Sequence, residues 1–367
     1  MKLGVAVNHC APYHTGGSEK VVQQITESMH HDFGMDCHVI SKYVPRNETY
    51  NGVHVYKLKG GETGLVNQVK DLDLDHLFVY SDSFVGWSSI VRNAEQIPCS
   101  KSIALVGMNF MRMHGDIGRM FANKKRHFTA ITHSDNYLDY ETCKKLDIPV
   151  RVIPNAIDLK EFEVESPSFR ERYGIDTEHM ILCVSNFFPG KGQEHLYHIL
   201  QKLADRGHDF TAVYISTTTN FQPAEVMRTR HNRMLAKARF KSKALNNIPR
   251  SDVIEAFKQA DVFAFPSQIE VAPLVVLECM ANNLPWVALN VGNVEELDGG
   301  FVVKATKKVQ GKWHYTTALY DEFTDCLDSL LSSKSMRIGV GVEGKRMMLE
   351  RFNWDTIKHE YKDVFNA

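Results

Sequence analysis

The chain has 367 residues, 43% hydrophobic and 24% charged, with 43 Lys and Arg against 44 Asp and Glu. That length suits two domains rather than one core, and the composition excludes disordered, collagen-like and coiled-coil classes. The charge balance excludes a globally basic nucleic-acid coat but not a local basic face, and no apolar run approaches the ~18–20 residues of a membrane span.

From the start, β-rich runs alternate with helical patterns. Residues 3–7 read as a strand rather than a signal peptide, and 18–30 repeat apolar positions at helical spacing. Strands are predicted at 37–40, 54–58, 76–80, 102–106 and 128–132. A second series covers 180–184, 210–215, 261–265, 285–289 and 300–303. The polar stretch 159–177, with Pro167 and Gly174, reads as a connection between the two series. Helices are predicted from 318 onward, through 336–352 and 354–365. Alternation of this kind implies parallel sheets covered by crossover helices. The expected fold class is therefore α/β, two doubly wound Rossmann-like domains facing a central cleft. The domains are placed at 1–158 and 179–350, joined by a linker at 159–178, with a helix at 351–367 crossing back to the first. Seven scattered cysteines without a CxxC make structural zinc and a disulfide framework improbable, and the cytoplasm is the expected compartment.

In open α/β sheets the ligand lies beyond the carboxyl ends of the strands. Four segments fall there. "PYHTGGSEKVV" places Gly16 and Gly17 at a helix start, where unpaired N–H groups attract anions. "VSNFFPGKGQEHL" puts Lys191 on a turn within reach of a phosphate. "FPSQIEVAPLVVLECMANNLP" sets Glu270 before a helix and Glu278 inside it; a carboxylate on so apolar a run must face a cleft or find a partner. "ALNVGNVEELDGGF" is a further strand-end loop. "DLDLD" (Asp71, Asp73, Asp75) precedes a strand, and the histidines show no ligand spacing, so no metal is expected.

Together with "VIPNAIDLKEF", which holds Asn155 and Asp158, these segments resemble the retaining GT-B glycosyltransferases, specifically glycosyltransferase family 4. The resemblance spans nearly the whole chain. It implies transfer of a sugar from a nucleoside diphosphate, most simply a UDP-sugar, to an acceptor hydroxyl, with no further cofactor. It further implies that Glu278 holds the ribose and Glu270 the donor sugar. Lys191 then neutralises the diphosphate, with Gly16, Gly17 and the amides of Leu274 and Val275 nearby. Asn186 stands where the family usually carries an arginine, and Asn109 where many members have a histidine; His114 is the nearest substitute for the latter. The catalytic set is thus Glu270, Lys191 and His114.

The acceptor is less legible. Residues 227–250 hold eight Lys or Arg and no acid. If helical, Arg230, Arg233, Lys237 and Lys241 form one stripe that suits a polyanion, an anionic membrane surface or solvent. Arg112, Arg119, Lys124, Lys125 and Arg126 make a second basic cluster in the domain where this family binds acceptors. Hydroxymethylated DNA of phage type is one acceptor, read through Arg112, Arg119, Arg230, Arg233 and Lys237. A lipid or polysaccharide at a membrane surface is another, with Phe110, Met111, Met113, Met120 and Phe121 offered to the membrane. A non-catalytic nucleotide-sugar or polyanion binder on the same fold is a third reading. No protein partner is expected.

Overall fold

The computed structural model describes residues 1–14, 16–80, 86–106, 111, 115–163, 166–218, 223–305, 308–309, 312–313 and 316–367. The chain divides into unit 1, Met1–Asn155 with Trp354–Ala367, and unit 2, Ala156–Asn353.

Unit 1 is built on an eight-stranded sheet in the order β3-β4-β2-β1-β5-β6-β7-β8. Its strands are β1 (Lys2–Val7), β2 (Asp36–Ser41), β3 (Glu48–Tyr50), β4 (Val53–Lys57), β5 (His76–Tyr80), β6 (Ser100–Ala104), β7 (Thr129–Thr132) and β8 (Val150–Val152). All pairings are parallel except that of β3 with β4. The central strands are buried on both faces, which is why they read as apolar runs rather than alternating ones. Helix α1 (Gly17–His31) turns Val21, Val22, Ile25 and Met29 inward. Helices α2 (Gly61–Asp71), α3 (Gly86–Arg92), α4 (Gly115–Asn123) and α5 (Leu138–Lys145) follow.

Unit 2 carries a six-stranded, wholly parallel sheet in the order β11-β10-β9-β12-β13-β14. Its strands are β9 (His179–Val184), β10 (Phe210–Ser216), β11 (Lys241–Asn246), β12 (Val262–Phe265), β13 (Trp286–Leu289) and β14 (Gly300–Val303). A two-stranded hairpin, β15 (Lys308–Val309) and β16 (Lys312–Trp313), comes next. The helices are α6 (Phe169–Tyr173), α7 (Gln193–Ala204), α8 (Pro223–Leu235), α9 (Arg250–Gln259), α10 (Leu274–Ala281), α11 (Thr317–Ser332) and α12 (Lys334–Arg351). Gly341 lets α12 lie close to the end of α10: a Cβ there would stand 2.0 Å from the Asn283 carbonyl oxygen. Where the chain enters and leaves unit 2, Ile157 donates its N–H to the Phe352 carbonyl at 2.9 Å.

Helix α13 (Trp354–Phe365) belongs to unit 1. Trp354, Ile357, Tyr361, Val364 and Phe365 form its buried face at helical spacing. Phe365 packs on Phe78 at 5.4 Å, and Trp354 Nε1 donates to Ser28 Oγ at 2.8 Å. Burial of each such side chain is worth roughly 1.5–3 kcal/mol, so the helix is an integral part of that core.

Two expectations change. The stretch 159–178 is folded into unit 2 rather than left as a linker. Asp158 caps a 3-10 turn at Leu159–Phe162, and Arg170 on α6 reaches Asp261 at 2.8 Å and the Gln259 carbonyl at 3.3 Å. Its polarity is that of a surface helix tied down by ion pairs. The supposed basic helix through 227–250 is broken as well. Helix α8 stops at Leu235, Lys237 lies in a turn, and Lys241 opens β11. β11 is a half-exposed edge strand whose lysines mimic a basic helical face.

Each unit buries histidines, among them His76 and His231. His76 on β5 meets Ser102 Oγ at 2.8 Å, and its pKa is lowered to about 4, first by burial and then by the charge of Lys101. His231 on α8 lies 4.5 Å from Tyr214 and 5.5 Å from Phe187, ring to ring. Burial lowers it to about 4, with the Gln193 backbone acting the other way. Both pKa values lie below the unfolded value of 6.5. The unfolded chain therefore binds more protons between 6.5 and 4, and stability falls as pH drops through that window. The full window amounts to about 3 kcal/mol per histidine. Calorimetric unfolding from pH 7 to 4.5 is expected to show this decline, and His231→Phe to flatten the slope of the unit 2 transition. An unchanged slope in that variant would contradict the assignment.

Candidate active site

The carboxyl ends of β9 and β12 in unit 2 bring Lys191 and Glu270 together. Lys191 follows β9 on a turn in which its N–H donates to the Phe188 carbonyl at 3.0 Å. Gly192, at φ 78°, caps α7, and a Cβ there would lie 2.0 Å from the Pro266 carbonyl oxygen. Only glycine suits both the left-handed backbone and that approach. The Gln268 N–H donates to the Gly190 carbonyl at 2.6 Å, so the two strand-end loops are clamped edge to edge. The Asn293 N–H donates to the Val271 carbonyl at 2.9 Å and adds the loop after β13. On this frame Lys191 Nζ stands 2.6 Å from Glu270 Oε1, the side chains 26% and 12% exposed. The first turn of α10, with Leu274 buried and Val275 half-buried, follows directly.

Glu278 is held on α10, its side chain only 5% exposed, and accepts from Arg250 Nη2 at 2.5 Å. Arg250 Nε donates to Glu161 Oε1 at 2.9 Å, so one guanidinium joins two carboxylates. Burial opposes the charge on Arg250, but Glu278 and Glu161 outweigh it and raise the pKa above its ordinary value. The apolar run of α10 demanded a partner for Glu278, and Arg250 is that partner. Sequence reasoning counted Arg250 only as part of a basic stretch. The available signal was its place directly after Pro249, opening a helix at a strand end.

Asn186 acts as a brace. Its Oδ1 accepts from the N–H and hydroxyl of Thr217 at 2.9 and 2.7 Å, tying the ends of β9 and β10. Its amide oxygen is thus turned to the neighbouring strand.

Gly16 and Gly17 belong to unit 1. Gly16 precedes α1 in extended backbone, and the Glu19 carboxylate folds back over it, with Oε2 2.4 Å from where a Gly16 Cβ would stand. Burial raises the Glu19 pKa. Beside it, at the ends of β1 and β2, lie His9, His14, Lys42 and Tyr43, which the sequence reading did not single out. His9 Nδ1 is 4.0 Å from Glu19 Oε1. His114, Arg112, Asn109, Phe110 and Met113 lie outside the described residues. Met111 and Phe121 are buried in the unit 1 core and Met120 packs against it, so these three offer little to a membrane.

The basic residues are largely committed. Arg119 pairs with Asp116, Lys124 donates to the Arg92 carbonyl at 2.9 Å, and Lys125 to that of Leu146 at 2.7 Å. Arg230 meets Glu194 at 3.1 Å and Lys241 meets Asp176 at 2.8 Å. Arg233, on α8 three residues beyond Arg230, and Lys237, in the turn after it, are exposed, and the helical register expected of the four ends at Arg233. Asp75 accepts the Lys2 N–H at 2.7 Å. Among the described residues, no group of three His, Cys, Asp or Glu is placed to hold a metal ion.

Residues 165–338 match the family model for glycosyl transferases group 1. The group 1 match covers most of unit 2, including Lys191, Arg250, Glu270 and Glu278. An uncharacterized glycosyltransferase of Methanocaldococcus jannaschii is 24% identical across all of this chain and 98% of its own. The GDP-mannose-dependent alpha-(1-6)-phosphatidylinositol monomannoside mannosyltransferase of Mycolicibacterium smegmatis is 26% identical over 56% of this chain and 53% of its own. Among solved structures, sucrose-phosphate synthase from Thermosynechococcus elongatus superposes with a TM-score of 0.77 at 15% identity, covering 100% of this chain and 98% of that one. Anabaena HepE in complex with UDP-glucose gives 0.75 at 15% identity, covering 100% and 99%. The fold is GT-B, and the group 1 match supports glycosyltransferase identity.

Proposed function

We propose that the protein is a retaining glycosyltransferase that moves a sugar from a nucleoside-diphosphate sugar, a UDP-sugar first among them, to a hydroxyl of a saccharide or lipid-linked acceptor. The observation that carries this reading is the Lys191–Glu270 pair, 2.6 Å apart on clamped strand-end loops beside the start of α10. Lys191 shifts its ammonium from Glu270 to the diphosphate, and Glu270 then accepts from hydroxyls of the donor sugar. Glu278, fixed through Arg250, takes the ribose hydroxyls. Negative charge grows on the departing diphosphate, and a preorganised cation with aligned amides stabilises it most in the transition state. The bond from the anomeric carbon to phosphate oxygen breaks as the acceptor oxygen attacks from the same face. Its proton passes to the departing phosphate oxygen, so no enzymic nucleophile is assigned.

The mycobacterial relative, a phosphatidylinositol monomannoside mannosyltransferase, supports a lipid-linked or saccharide acceptor. Hydroxymethylated DNA loses its main support, because the basic helical stripe ends with α8 after Arg233 and Arg230 is engaged by Glu194. All seven cysteines are free, which suits a reducing cytoplasm. The described residues contain no helix long and apolar enough to cross a membrane.

The test is turnover of UDP-, GDP- and ADP-sugars, with the anomeric configuration of the product read by NMR. One donor is expected to be consumed with retention, and Glu270→Ala to abolish turnover. Binding without turnover, indifferent to Glu270→Ala, would favour the non-catalytic binder. Radiolabel from the donor is expected in glycolipid or oligosaccharide; label confined to hydroxymethylated duplex would reinstate the DNA acceptor.

A further inference from the structure

The loops after β1 and β2 carry a polar cluster that the donor chemistry does not use. His9 and Tyr43 stack with centroids 4.6 Å apart, and His14 meets His9 edge-on at 4.4 Å. Lys42 places its ammonium 4.9 Å from the Tyr43 centroid. Among the described residues it has no carboxylate partner. Tyr43 remains 48% exposed. The cluster is not a pair of loose loops. The Lys42 and Tyr43 N–H groups donate to the Val7 and Asn8 carbonyls at 3.3 and 3.1 Å, and His14 Nε2 contacts the Tyr43 carbonyl at 2.9 Å. Asn8, 8% exposed, holds a buried Oδ1 that has no hydrogen-bond partner among the described residues. A buried acceptor oxygen of this kind is one that a donor on a water or a ligand can satisfy.

The charges are lopsided. His9, His14 and Lys42 crowd together; burial first, then His14 and Lys42, lower the His9 pKa. The acid beside them, Glu19, is folded over Gly16 and has a raised pKa. The Lys42 ammonium is the group left without a carboxylate among the described residues, so an anion is what this cluster lacks. An aromatic surface with polar groups around it suits a sugar ring, and the site stands at the carboxyl ends of parallel strands, where ligands bind.

We infer that the β1 and β2 loops of unit 1 seat an acidic saccharide, a sugar bearing a carboxylate or a phosphate. Tyr43 and His9 lie against the ring, Lys42 and His14 meet the anion, and Asn8 and Glu19 take hydroxyls. Only the role of this seat, as the place of the acceptor, rests on the transfer reaction proposed above; its existence does not.

The test uses the full chain, labelled with carbon-13 at histidine, with no donor present. It is titrated with glucuronate, glucose 6-phosphate, methyl glucoside and inorganic phosphate. Glucuronate or glucose 6-phosphate is expected to shift the His9 and His14 ring signals saturably, and to bind at least about tenfold tighter than methyl glucoside or phosphate. Lys42→Glu is expected to weaken that binding by about tenfold or more, and Tyr43→Ala to weaken it as well, with thermal unfolding confirming that each variant is folded. Methyl glucoside binding equally well overturns the anion requirement, and phosphate binding equally well overturns the saccharide. Absence of shifts with both acidic sugars, or affinity unchanged in Lys42→Glu, overturns the site. Donor turnover measured separately keeps the two readings apart, since either can fail while the other holds.

Discussion

Lys191→Ala is expected to lower kcat about 10²–10³-fold, the scale lost when one preorganised charge-stabilising group is removed from a transition state. Two effects act together. The growing charge on the departing diphosphate loses its cation, and Glu270, only 12% exposed, keeps its carboxylate beside that charge. Lys191→Arg restores charge but not the compact ammonium that reaches Glu270 Oε1, so it is expected to recover only part of the rate. Because the lysine is needed most where charge is largest, kcat is expected to fall more than donor affinity. A double-mutant cycle with Glu270→Ala should show strong non-additivity, as befits groups 2.6 Å apart. The decisive measurement is steady-state kinetics with the donor the protein consumes. Turnover in Lys191→Ala within about threefold of the parent would remove Lys191 from the chemistry.

Most of the architecture was legible because parallel strands buried on both faces write themselves as short apolar runs. Lys2–Val7, His76–Tyr80 and Val262–Phe265 needed no other signal. The pattern fails at edges. Glu48–Tyr50, Val150–Val152 and Lys241–Asn246 are edge or short strands with exposed positions, and nothing in their composition separates them from loop or helix. Charge was misread for a related reason. Side chains spaced as a helical stripe in 227–250 are distributed over a helix, a turn and a strand, and the acidic partners of Arg230 and Lys241, Glu194 and Asp176, lie outside that stretch of sequence.

In the site, Lys191 and Glu270 were legible as strand-end residues, since each follows its strand by a few positions and parallel neighbours converge there. The role of Asn186 was not, because an amide that braces Thr217 looks in sequence like one that faces a ligand. His9 and Tyr43 were invisible for a simpler reason: they are brought together by the pairing of β1 with β2 across 34 positions of sequence.

Arg250 carries the largest expected effect on stability. Arg250→Met keeps the aliphatic stem and removes the guanidinium, leaving Glu161 and Glu278 without the cation they share. Breaking a buried pair in this way costs roughly 3–5 kcal/mol. Arg250 is itself 37% exposed and Glu161 29%, so solvent screens part of the charge and the lower end, about 3 kcal/mol, is expected. The sign with pH follows from which state holds protons. In the parent, the raised Arg250 pKa keeps the guanidinium charged throughout the ordinary range, and its contribution does not titrate away. In the variant, Glu278 is a buried carboxylate without its guanidinium, so its pKa rises above the unfolded value and the folded state binds the extra proton. Acid should therefore relieve the defect, and the gap between variant and parent is expected to narrow from pH 7 to 5. Adding Glu278→Gln to Arg250→Met should recover part of the loss at pH 7, because it removes the stranded charge and keeps the shape. Urea unfolding at pH 5 and 7 measures all three. A loss below about 0.5 kcal/mol in Arg250→Met, no larger than an ordinary surface change, would show that Glu278 does not depend on Arg250. The reading of Glu278 as a fixed ribose ligand would then lose its physical basis.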